Sequence, residues 1–124
     1  NDTGRHIQNG SMKGVSSMTV NEYHGLAVRT APKLDEDSML IDAALGLTGE
    51  AGEVADLVKK CYYQGHDLDT DAIVEELGDV AWYIALACQA IGFGMEEVIR
   101  VNIEKLQKRY PDGFDAQKSR NRTE

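Results

Sequence analysis

Two short acidic runs carry the chemistry in this sequence. Glu50-Ala51-Gly52-Glu53 and Glu76-Leu77-Gly78-Asp79 each hold two carboxylates three residues apart. On an α-helix that spacing sets both on one face. At about 100° per residue, Glu50 shares an arc with Leu47, Val54, Leu57 and Cys61, and Glu76 shares one with Ile73, Val80, Tyr83 and Ala87. Amphipathic helices keep their acids on the solvent side. Four carboxylates turned toward a buried side repel one another and lose hydration unless a cation neutralises them. Oxygen-only ligands suit a hard cation such as magnesium or manganese. Neither run contains histidine or cysteine, which argues against zinc.

Basic and polar groups that could meet an anionic substrate lie nearby. Lys59 and Lys60 follow the first acidic pair, and Asn102, Lys105 and Arg109 share one face of a later helical stretch. Oxygen-activating di-iron bundles use Glu-x-x-His pairs. None of His6, His24 or His66 follows a glutamate by three residues, so that chemistry is not expected.

Four helices are needed to position these groups. The pattern predicts a first helix over about Thr19 to Thr30, capped by Thr19 and ended by Ala31-Pro32. A second begins within Asp35 to Ser38, where acids suit the positive end of the helix dipole, and runs to Tyr63 with Gly65 as its left-handed terminator. A third spans Thr70 to Ile91, behind Asp69 or Thr70, and a fourth spans Met95 to Tyr110, before Pro111. The third is apolar almost all round, with Trp82 about 240° from Glu76 on the wheel and Leu86 about 40° further round, which implies burial on both sides. Gly49, Gly52 and Gly78 lie inside helices, where each costs up to about 1 kcal/mol relative to Ala. They are expected to let a backbone or a ligand come close. No strand alternation is found. The fold class is all-α, a four-helix bundle or part of one.

Composition bounds the remaining possibilities. The 124 residues suit one domain, and 42% hydrophobic with 27% charged residues is globular. Thirteen basic against 21 acidic residues give a net charge of −8, which argues against a basic nucleic-acid-binding surface. No apolar run approaches the roughly 18 residues of a membrane span. Cys61 and Cys88 read as buried thiols in a reducing cytoplasm. Residues 1–11 are expected to be an expression leader, residues 18–114 the domain, and residues 115–124 a polar tail.

The stretch Gly46-Leu47-Thr48-Gly49-Glu50-Ala51-Gly52-Glu53-Val54-Ala55-Asp56-Leu57-Val58-Lys59-Lys60 resembles the first half of the MazG-like nucleotide pyrophosphohydrolase motif. Glu75-Glu76-Leu77-Gly78-Asp79-Val80-Ala81-Trp82-Tyr83 resembles the second half, and 22 residues separate Glu53 from Glu76, a spacing the family accepts. Asn102 to Phe114, with its Asn-x-x-Lys-x-x-x-Arg-Tyr-Pro pattern, resembles the family's C-terminal segment. The likeness covers about Tyr23 to Phe114.

The resemblance implies an all-α enzyme that cleaves a nucleoside triphosphate to monophosphate and pyrophosphate. It implies magnesium, with manganese as a substitute, on Glu50, Glu53, Glu76 and Asp79, and one glutamate, such as Glu53, orienting or deprotonating the attacking water. By the same resemblance Lys59 or Lys60, Lys105 and Arg109 contact phosphates, and Asn102 lies near the ribose or metal. Tyr83 packs on sugar or base, or serves as a core aromatic. Tyr23, His24, Tyr62 and Tyr63 are the candidates for base recognition. The family implies a homodimer or homotetramer with sites built between subunits. It further implies a cytoplasmic housekeeping enzyme for deoxy or noncanonical nucleotides, with no nucleic-acid or membrane partner. Two other readings stay open, a non-catalytic metal-binding helical module and a hydrolase of a phosphoribosyl-ATP intermediate.

Overall fold

The computed structural model describes residues 17–114 together with residues 116 and 120. The expected leader lies outside the described residues, as does most of the expected tail. Among the described residues four helices form: α1 (Val20–Val28), α2 (Glu36–Gln64), α3 (Thr70–Ile91) and α4 (Met95–Arg109). The chain is all-α, as the sequence pattern requires.

Local chemistry sets the helix ends. Thr19 Oγ1 accepts the Glu22 N–H, and Glu22 Oε1 accepts the Thr19 N–H, each at 3.1 Å, so two otherwise unpaired donors are satisfied reciprocally. Asp35 caps α2 by accepting the Ser38 N–H at 2.8 Å. Asp69, rather than Thr70, caps α3 by accepting the Ala72 N–H at 3.0 Å. Gly65 and Gly92 end α2 and α3 at φ 73° and 79°, a region that favours glycine. α1 stops at Val28, two residues short of expectation. There the Thr30 N–H and hydroxyl both turn back to the Ala27 carbonyl, at 3.0 and 2.7 Å.

α2 and α3 form a long antiparallel hairpin. Their register follows from two points: Gly46 lies against Tyr83, and Glu50 lies against Glu76 and Asp79. As α2 advances, α3 retreats. The same register carries Ala43 to the level of Leu86, and both are essentially enclosed.

The opposite side of α3 is covered by α1 and α4. Ala27, Ala85, Cys88 and Met95 form this core, with Val20, Tyr23, Trp82, Ile84 and Val98 packed around it. Trp82 Nε1–H donates to Thr30 Oγ1 at 2.7 Å and to the Ala27 carbonyl at 3.2 Å, tying α3 to the end of α1. α3 is therefore covered on two sides within one chain, while its Val74, Leu77 and Ile91 stay about half exposed. α4 leaves α3 at a bend of 100°. No single helix among the described residues is long and apolar enough to cross a membrane.

As to close approach within the chain, the glycine expectation needs correction. A Cβ at Gly49, Gly52 or Gly78 would meet nothing within 4 Å. The close approach falls one turn earlier, at Gly46, where a Cβ would lie 2.1–2.6 Å from ring carbons of Tyr83. Only a residue without a Cβ lets that ring lie on α2.

Candidate metal centre

The antiparallel register brings three acids from two helices to one point. Glu50, Glu76 and Asp79 each offer a carboxylate oxygen within 4.8 Å of the others. Glu50 and Glu76 are half-buried and Asp79 is exposed. Their mutual effect is visible in proton affinity. A hydrogen bond with the Glu50 carboxyl holds Glu76 above the usual carboxylate range, reinforced by burial and by the charges of Glu50 and Asp79. Like charges this close repel, and that crowding calls for a counter-charge. A hard divalent cation relieves the same crowding from oxygen ligands alone, and the donor set fits one.

Beside the cluster opens a cleft of about 500 Å³ lined by Tyr23, Glu50, Gly78, Asp79, Trp82 and Tyr83. α1, α2 and α3 all contribute. Among the described residues its lining is acids, aromatic rings and Gly78, with no cationic side chain. Trp82 and Tyr83 meet edge to face, with centroids 4.9 Å apart. Burial, and then the charge of Asp79, pushes the Tyr23 phenol up, so it stays a hydrogen-bond donor beside the acids.

The other expected site residues scatter. Glu53 is exposed and stands outside the three-acid group. Lys59 and Lys60 are tied to Asp56 at 3.6 and 3.0 Å, in exposed pairs that solvent screens. Tyr83 lines the cleft and also packs on Gly46. Asn102 and Lys105 are exposed on α4, and Arg109 is half-buried at its end; none of the three lines the cleft. His24 is 8% exposed, with Nδ1 taken by the Met95 N–H and Nε2 by Gln89 Oε1, so in this arrangement neither nitrogen is open to a base. Tyr62 and Tyr63 are exposed at the end of α2.

A helix wheel centred on Glu76 passes over two features of the centre. Trp82 stands one turn beyond Asp79, on the side of α3 that borders the cleft, and its indole nitrogen is held by α1. Gly46 carries the Tyr83 contact, and its signal is a glycine one turn before the first acid at the level of an aromatic.

The family model for the MazG nucleotide pyrophosphohydrolase domain matches residues 41–114. The chain is 38% identical over 73 residues to the Gene 37 protein of Mycobacterium phage L5. That stretch covers 56% of this chain and 64% of the phage protein. No solved structure matches.

Proposed function

The chain belongs to the MazG nucleotide pyrophosphohydrolase family, and from that membership we propose that it hydrolyses nucleoside triphosphates to monophosphate and pyrophosphate with a divalent metal, magnesium foremost. The observation that carries this reading is the convergence of Glu50, Glu76 and Asp79 beside an aromatic-lined cleft.

Glu50, Glu76 and Asp79 would hold the metal. When bound, a hard divalent cation supplies positive charge for the phosphate oxygens and acidifies a water at the site. Glu53, outside the three-acid group, accepts the proton of the attacking water. The water oxygen bonds to the α-phosphorus, the bond from that phosphorus to the bridging oxygen breaks, and pyrophosphate leaves. Tyr83, with its ring fixed on Gly46, and Tyr23 border the sugar and base. Deoxy or noncanonical nucleotides are the proposed substrate class.

A triphosphate also needs cations from protein, and among the described residues none lines the cleft. We assign Lys105 and Arg109, with Asn102 one turn before, to that task, along with Lys59 or Lys60. α4 is exposed over 101–108 and its polar groups stand away from its own cleft. A second copy of the chain therefore brings them, as a homodimer or a pair of dimers.

A product assay tests the core of this reading. Purified protein is incubated with each common ribo- and deoxynucleoside triphosphate and dUTP, with and without magnesium, and the products are separated chromatographically. Monophosphate plus pyrophosphate, dependent on magnesium, is expected. Diphosphate plus orthophosphate would place the cut at the wrong phosphorus, and absence of turnover would leave a metal-binding helical module.

A further inference from the structure

α4 begins after Gly94, which has no side chain to cap the first turn. α1 supplies the caps. His24 Nδ1 accepts the Met95 N–H at 3.0 Å, and Asn21 Oδ1 accepts the Glu96 N–H at 3.1 Å. The two side chains are three residues apart, so one face of α1 provides both. Glu97 Oε1 takes the Gly94 N–H at 3.0 Å.

This arrangement fixes the imidazole. A ring nitrogen that accepts an N–H carries no proton, so the proton is on Nε2, which donates to Gln89 Oε1 at 3.0 Å. His24 thus joins α1, α3 and α4, and is largely enclosed.

Met95 is the buried residue of α4, Val98 packs on the same core, and residues 101–108 are all exposed, with Arg109 half-buried at the far end. The direction of the exposed stretch is therefore set largely by its first turn, where the two caps and Met95 lie. Ten residues separate Met95 from Lys105, about 15 Å along a helix, so a tilt of about 10° at the base moves Lys105 by roughly 2.6 Å.

We propose that His24, as the Nε2–H tautomer, and Asn21 are positioning residues that aim α4 and thereby set where Asn102 and Lys105 meet the phosphates. The aiming of α4 stands on the hydrogen bonds alone; its consequence for nucleotide binding rests on the pyrophosphohydrolase reading. α1 also carries Tyr23 into the acidic cleft, so one short helix links the cleft to the basic arm.

Two substitutions at one position separate aiming from bulk. His24→Leu keeps volume and removes the acceptor, whereas His24→Asn keeps an oxygen where Nδ1 stands. Asn21→Ala, at an exposed position, is a second test with little risk to folding. In the wild type, nitrogen NMR of the ring is expected to show an unprotonated Nδ1 and a protonated Nε2. Residual dipolar couplings of α4 amides, read against those of α2 and α3, are expected to reorient in His24→Leu and to stay close to wild type in His24→Asn. KM for the nucleotide is expected to rise about fivefold in His24→Leu, the size of one lost cap. The rise should be smaller in Asn21→Ala, and the magnesium-induced gain in melting temperature should be unchanged in both. The opposite tautomer, unchanged α4 couplings in His24→Leu, or equal behaviour of the Leu and Asn variants would overturn the proposal. If α4 reorients and the wild type turns over no nucleotide, it is the pyrophosphohydrolase reading that fails.

Discussion

Carboxylates in this centre differ in kind, and the difference can be measured. Glu76 sits among like charges and holds its proton more tightly than an ordinary glutamate, whereas Glu53, exposed, stands outside the group. Glu76→Gln and Asp79→Asn should each abolish turnover and also erase the rise in melting temperature that magnesium produces, since a ligand specific to the folded state stabilises it. Glu53→Gln should abolish turnover and keep most of that rise. A Glu53→Gln protein that lost the magnesium effect would place Glu53 among the ligands instead. The thiols offer a second contrast at this scale. Cys88 is 3% exposed, and burial pushes its thiol up, which keeps it in the unreactive neutral form as pH approaches the ordinary thiol range. Cys61 is half-buried. At pH 8 a thiol reagent should modify Cys61 first, with Cys88 reacting only as the core opens. Equal rates for the two would contradict the packing of α3 against α1.

At the scale of elements, the hairpin register decides what each glycine does. Gly46→Ala would drive a methyl into the Tyr83 ring, so a loss of about 1–3 kcal/mol in thermal or denaturant unfolding is expected from overpacking. Gly78→Ala meets no atom and should gain up to about 1 kcal/mol from helix propensity. Because Gly78 lines the cleft, the same change should raise KM for the nucleotide. A destabilised Gly78→Ala would mean that something packs there. The contrast also shows what the sequence could tell. Helix ends were legible because their causes are local: Thr19 and Glu22 cap each other three residues apart, and Gly65 and Gly92 adopt the backbone their positions ask for. The Gly46–Tyr83 contact and the His24 cap on Met95 join residues 37 and 71 apart, through a register that no single helix encodes. Spacing also treated Glu53 and Asp79 alike, yet only Asp79 joins the cluster.

At the scale of the molecule, the main question is what covers the outer face of the hairpin. Ile41 and Leu45 of α2 are 61% and 70% exposed, and Val74 and Leu77 of α3 are about half exposed. Ile41, Leu45, Thr48 and Gly52 recur at helical spacing, so these apolar groups and the open glycine form one stripe. Scattered exposed apolar residues are ordinary, but a continuous stripe marks a contact surface. With a net charge of −8, two copies repel at long range, so association must come from apolar burial rather than from charge. Such an interface typically buries about 1,600 Å² in all. A self-paired stripe also accounts for a basic α4 that its own cleft does not use. Sedimentation at micromolar concentration should therefore give a dimer or larger, and Leu45→Lys should shift it toward monomer with loss of turnover. Mixing is the sharper test of shared sites. Asp79→Asn lacks a metal ligand and Lys105→Ala lacks a phosphate contact, so each should be inactive alone. Subunits unfolded together and refolded should regain part of the activity, because a mixed dimer holds one site with both groups intact. A fully active monomer, or a mixture no better than its parts, would return Lys105 to the cleft of its own chain.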